Sequence, residues 1–246
     1  MDQIHICRDF GDEDWNELSK RLKPGAPPNE RDWQRAIDVF DRRMRERFLL
    51  CIKALEDIKA KRVTALNGAD AVRPLPEEII ITTGFAIMAL CCLLIDTLQF
   101  FRAGKPPRNQ PRGCPRPEKC AGTFPGTGRA FVAFLTQCMS FGENEAKDFT
   151  DGMRNGIFHQ AETRGWVVKL DEPEGAVLKC EMMRVGAPGG KEVKLYTLNR
   201  TVFCDRLRDW YEGYVKRLRD PEEEAGLREH FAAGMDHVAE FCRKIR

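Results

Sequence analysis

"IIITTGFAIMALCCLLI", residues 79–95, has no charged side chain across 17 positions. That is the lower edge of the length a helix needs to cross a bilayer. The same run suits a helix at the centre of a soluble core, apolar all round because it is buried on every side. Thr82, Thr83, Gly84, Cys91 and Cys92 dilute its hydrophobicity, Asp96 and Gln99 follow at once, and no second such run occurs. A central core helix is therefore expected, with no membrane partner. "RPLPEE" (73–78) reads as its start, because Pro76 sits where a first turn tolerates proline and Glu77 and Glu78 suit the positive end of the dipole. Gly104 reads as its terminator, which makes the helix run to about Ala103.

Before this helix, residues 1–29 look like an irregular lead-in closed by the Pro- and Gly-rich "KPGAPPN" (23–29). Asn29 is placed to cap a long helix in which Trp33, Ile37, Phe40, Met44, Phe48, Ile52, Leu55 and Ile58 step by three and four. The opposite face of that helix is heavily charged, as a solvated face is.

After it comes "GKPPRNQPRGCPRPEKCAGTFPGTGR" (104–129), too rich in proline to be helical. From Arg102 to Arg129 this stretch carries Arg102, Lys105, Arg108, Arg112, Arg116, Lys119 and Arg129 against the lone acid Glu118. A loop of this length in a compact domain is usually functional or disordered. A helix is expected over about 127–141 with Phe131, Phe134, Leu135 and Cys138 on one side, and another from Glu143 or Asn144 to near Gly165. The period then changes. "GWVVKL", "AVLKCEMMRV" and "KEVKLYTL" favour strands in a small antiparallel hairpin or three-stranded ribbon over 165–198. Asn199 caps a further helix, and Asp220 and Pro221 open the last one. The expected fold is mainly α: a helical bundle in one domain over 1–246, with a β insertion.

The totals fit a globular chain. Hydrophobic residues make up 42% and charged residues 32% of 246, and the formal net charge is only +2, so any nucleic-acid partner has to be held by a local patch. "MDQIHICRDFGDEDW" is acidic and lacks an apolar run, so no signal peptide is expected. Many of the ten cysteines fall within apolar helical patterns. They read as free thiols in a reducing cytoplasm.

"DGMRNGIFHQ" (151–160) holds one of only four histidines, with Arg154 and Asn155 five and four places before His159. Five residues on a regular helix are about 140° apart around the axis, so Arg154 and His159 do not share one face. The residue types suit phosphodiester chemistry. Arginine offers a planar, permanently charged fork to phosphate oxygens, and histidine takes or gives a proton near neutral pH. Asn155 can hydrogen-bond a phosphate or fix the imidazole.

This stretch resembles the HEPN superfamily of helical nucleotide-binding and ribonuclease domains, found in prokaryotic toxins, phage-defence proteins and CRISPR effectors. The signature of that family is Arg, a polar residue, a few variable residues and His, and "RNGIFH" fits it, within a bundle covering about 30–165 plus the helices after 199. The resemblance implies a cytoplasmic, homodimeric endoribonuclease that needs no metal and no cofactor. In it the RNA 2′-hydroxyl attacks the phosphate and leaves a 2′,3′-cyclic end in a groove shared by two protomers. It implies catalytic roles for Arg154, Asn155 and His159, with His159 as the acid–base group and Arg154 stabilising the charged phosphorane. A toxin or phage-defence role, with an antitoxin or regulatory partner, belongs to the same reading, and Arg108, Arg112, Arg116 and Arg129 are the expected RNA-backbone contacts. The alternatives are a catalytically silent HEPN fold that binds nucleotides or dimerises, and a helical interaction protein of another kind.

Other motifs carry less. Cys114 and Cys120 are separated by five residues with no second pair, which misses zinc spacing. "GTFPGTGR" (122–129) lacks the Lys-Ser/Thr ending of a P-loop and follows no strand, so it reads as a turn and helix cap beside which Arg129 can meet a phosphate. His230 and His237, seven apart, read as surface or interface residues. Trp166, Tyr196, Trp210, Tyr211 and Tyr214 are candidates for base stacking, although at helical spacing Trp210 and Tyr214 suit a core.

Overall fold

The computed structural model describes residues 5–22, 29–58, 62–64, 78–80, 83–104, 127–170, 175–185, 191–222 and 225–244. Among these the chain is mainly helical with small sheets. Strands β1 (His5–Cys7) and β2 (Phe10–Gly11) pair antiparallel and lead into α1 (Asp12–Ser19). This corrects the irregular lead-in. The helix is too short for periodicity to reveal, but it buries Trp15 and Leu18, and the Trp15 indole donates to Asp236 at 2.7 Å.

Asn29 caps α2 (Glu30–Met44) by accepting from the Asp32 N–H, as its residue type promised. A π-helical turn at Arg45–Leu49 passes directly into α3 (Leu50–Asp57). Most of the stripe read from sequence faces inward: Ile37, Phe40, Met44 and Ile52 are buried and Trp33, Phe48 and Leu55 half-buried, while Ile58, past the end of α3, is exposed.

The apolar run divides. β3 (Arg62–Thr64) and β4 (Glu78–Ile80) pair antiparallel, and α4 begins only at Gly84, running to Ala103. The helix expected from Pro76 thus starts eight residues late. Consecutive β-branched residues at 79–83 favour extended backbone, and Gly84 is the first position where that pressure ends. Gly104 terminates α4 in the left-handed conformation at φ 66°. By length and composition α4 is the one helix among the described residues that could cross a membrane, yet only half of its apolar window is buried here. It packs on α3, on α5 (Thr127–Cys138), on α8 (Arg200–Arg219) and on α9 (Ala225–Lys244), while Phe85 and Leu93 remain exposed. The expectation of burial on every side is therefore corrected.

Between α5 and α8 lie α6 (Glu143–Asp148), a π-helical turn (Phe149–Arg154) and α7 (Asn155–Gln160), then β5 (Trp166–Lys169), β6 (Leu178–Val185) and β7 (Lys191–Asn199). The strand order is β5-β7-β6, with β7 antiparallel to β6 but parallel to β5. A simple antiparallel ribbon would put β6 in the centre. Instead β7 takes the centre because Tyr196 and Leu198 carry its buried face, and Tyr196 stacks on Trp166 of β5 at 4.4 Å. Asn199 caps α8 by accepting from the Val202 N–H.

Two aromatic groups fill the core. Phe40, Phe101, Tyr211, Tyr214 and Phe231 join α2, α4, α8 and α9. Phe131, Phe141, Phe149, Phe203 and Trp166 hold the segment from Glu143 to Gln160 against α5, α8 and β5.

Candidate functional site

The motif occupies the end of a helix that widens before it arrives. The Asn155 N–H donates to the Thr150 carbonyl, five residues back, which marks the π-helical turn ending at Arg154. Such turns take in an extra residue and often occur at functional sites. The angular spacing assumed for a regular helix therefore does not apply on the N-terminal side of Arg154.

Gly152 and Gly156 explain why a helix carries glycine here. A Cβ on Gly156 would lie 2.4 Å from the Glu162 carbonyl oxygen, and one on Gly152 would lie 2.7 Å from the Arg164 carbonyl oxygen and 2.7 Å from the Trp166 indole nitrogen. Both face the same returning segment, so they form a flat strip on one helix face. The chain leaving α7 turns at Ala161, with φ 54°, and packs back along that strip into β5.

Arg154 is held tightly. Its Nε and Nη2 donate to Asp96 Oδ2 of α4 at 3.1 and 2.8 Å, and its Nη1 donates to Asn155 Oδ1 at 2.9 Å. The guanidinium lies 5.4 Å from the ring centroids of both Phe131 and Phe158. The Arg154 and Asp96 side chains keep 12% and 29% of their exposure. Burial pushes the Asp96 carboxyl above its usual range, against the hydrogen bond and charge of Arg154, which pull it down. Asn155 also donates to Asp151 Oδ1 at 3.4 Å. His159, by contrast, is exposed near the end of α7.

Two clefts flank the motif, and neither is lined by Arg154 or His159. One, of about 300 Å³, is bordered by Asp148, Asp151, Arg164, Trp166, Lys194 and Tyr196. The other, of about 480 Å³, is bordered by Arg129, Glu143, Lys147, Thr150 and Asp151. Asp151 belongs to both. Tyr196 and Lys194 donate to Asp148, which holds that carboxyl below its usual range and ties α6 to β7. Trp166 and Tyr196 are buried and stacked on one another, so their faces are not free for bases. Tyr211 and Tyr214 are core residues, as the spacing of Tyr214 suggested, and Trp210 is half-buried against Phe134 and Tyr214.

Arg129, in the first turn of α5, is exposed beside Lys147 at the second cleft. Arg108, Arg112, Arg116, Cys114 and Cys120 lie outside the described residues. His230 and His237 are exposed on α9. Sequence reasoning missed Asp96, the partner of Arg154 from 58 positions upstream. Its one signal was that it is the first charge after the apolar run. Comparison of the chain with known protein families, with curated proteins and with solved structures finds no match.

Proposed function

We propose that the chain is a HEPN-type endoribonuclease that works as a homodimer and cuts RNA without a metal ion. The observation that carries the reading is the pairing of a fixed arginine with an accessible histidine. Asp96 and Asn155 hold the Arg154 guanidinium, and His159, one helical turn beyond Asn155, is open to solvent. A preorganised guanidinium costs no reorganisation when negative charge builds on a phosphorane. Of its five N–H donors, three are engaged, which leaves two for phosphate oxygens. The RNA 2′-hydroxyl attacks phosphorus and the bond to the 5′-oxygen breaks. His159 takes the hydroxyl proton or supplies one to the leaving oxygen, and the products are a 2′,3′-cyclic phosphate and a 5′-hydroxyl. The cellular role we assign is that of a cytoplasmic toxin or phage-defence effector with a regulatory partner.

His159→Ala tests this directly. Because His159 is exposed, the variant should fold normally while cleavage falls by about a hundred- to ten-thousand-fold. Chelator should leave the wild type unaffected, and 2′-deoxy RNA should resist. If His159→Ala cuts as fast as the wild type, the site is misassigned. A second reading, a silent fold that binds nucleotides or dimerises, is favoured by one observation: Arg154 already spends its Nε and one Nη on Asp96. Retained RNA binding with no cleavage by the wild type selects it.

A further inference from the structure

Arg200 poses a problem that neither reading of the motif addresses. It is the first residue of α8, only 8% of its surface is exposed, and its buried Nε has no hydrogen-bond partner. Among the described residues no carboxylate pairs with it. Its Nη1 lies 3.7 Å from where a Cβ on Gly84 would stand, beside Val168 of β5. Gly84 is the first residue of α4, so the buried cation sits between the N-terminal ends of two helices, each 20 residues long.

Among the described residues, the guanidinium and both helix ends are positive. A helix N-terminus carries about half a positive charge and points unpaired N–H groups outward. No side chain caps α4, and neither α4 nor α8 has an acidic residue in its first turn. The α4 hydrogen-bond ladder begins with the Ile87 N–H on the Thr83 carbonyl, which leaves the N–H groups of Gly84, Phe85 and Ala86 without a helical acceptor. Phe85 and Ala86 are exposed, so the junction opens to solvent. A buried charge without a partner is costly, and chains normally pair it or neutralise it. We propose that this junction binds an oxyanion of the phosphate class, gripped by the Arg200 fork and the N–H groups at the start of α4, where Gly84 presents no side chain. Guanidinium plus helix N-terminus is a donor set suited to phosphate oxygens. Along α4, Gly84 and Asp96 are 12 residues apart, about 18 Å at the helical rise, so this is a separate site from the Arg154 pair. It does not depend on RNA cleavage.

The test is thermal unfolding of the full chain in inorganic phosphate and, separately, in a dinucleoside monophosphate, each against chloride at equal ionic strength. Ligand at about ten times Kd should raise the wild-type Tm by about 3–5 °C. A response to inorganic phosphate alone assigns a free or terminal phosphate, and a response to the diester assigns a nucleic-acid backbone. Gly84→Asp puts a carboxylate beside Arg200, where its Cβ meets only ordinary contacts. It should raise Tm without ligand and abolish the ligand response. Arg200→Met should also abolish the response, and if that variant does not fold, Gly84→Asp decides alone. No response of the wild type to either ligand overturns the proposal, as does an undiminished response in Gly84→Asp or in folded Arg200→Met.

Discussion

Asp96 is the residue whose behaviour best separates a structural ion pair from a tuned one. Its carboxyl is raised because burial outweighs the pull of Arg154. A raised carboxyl contributes stability that is present below its ordinary range and lost as pH rises through its folded value. At neutral pH its charge therefore works against the fold, although it fixes Arg154. Asp96→Asn mimics the protonated form and should leave stability at pH 7 unchanged or slightly raised in urea unfolding. As pH falls toward the ordinary carboxylate range the wild type should gain on the variant. A loss of several kcal/mol at pH 7 would show that the ion pair, and not burial, dominates. Asp96→Asn should also loosen Arg154, so cleavage should fall while the melting curve barely moves. Arg154 and His159 could be picked out as a candidate pair because that needs only residue type and near spacing. Asp96 was not, because a contact across 58 positions leaves no periodic trace.

At the scale of elements, what could be read was whatever the local chain enforces. The caps at Asn29 and Asn199, the stripe of α2 and the stop at Gly104 follow from single side chains and short spacing. Three things did not: the α1 helix, with two buried apolar residues in eight positions; the late start of α4; and the parallel pairing of β5 with β7, which depends on a register set by Trp166 and Tyr196. The glycines of the motif lie between these cases. Their presence in a helix was visible, but their cause, a returning chain packed on the helix face, was not. Gly156→Ala tests that cause. With the Glu162 carbonyl 2.4 Å from the new carbon, the return chain must move, and the variant should lose about 1–3 kcal/mol or more in thermal or urea unfolding. On an exposed, uncrowded helix the same change would stabilise by up to about 1 kcal/mol, so the sign alone decides.

At the scale of the whole molecule, the question is whether one chain completes a site. Neither flanking cleft contains Arg154 or His159, and two large apolar side chains near Arg154 are exposed: Leu93, three residues before Asp96 on α4, keeps 44% of its exposure, and Phe158, over Arg154, keeps 36%. Residues three apart share a helix face, so Leu93 and Asp96 look the same way. A second copy packed about a two-fold axis would cover these side chains with their own symmetry mates, and would bring two Arg154 and two His159 into one groove. Sedimentation at micromolar concentration should show a dimer. Leu93→Glu should yield a folded monomer that no longer cuts RNA, because a charge placed in an apolar contact is costly to bury. Mixing then distinguishes a shared groove from two independent ones. Arg154→Ala and His159→Ala homodimers should each be inactive. If Arg154 of one protomer serves His159 of the other, their mixed dimer restores one complete pair, and cleavage returns in part after subunit exchange. If each chain uses its own pair, exchange restores nothing. A wild-type chain that stays monomeric yet cuts RNA would refute the shared groove altogether.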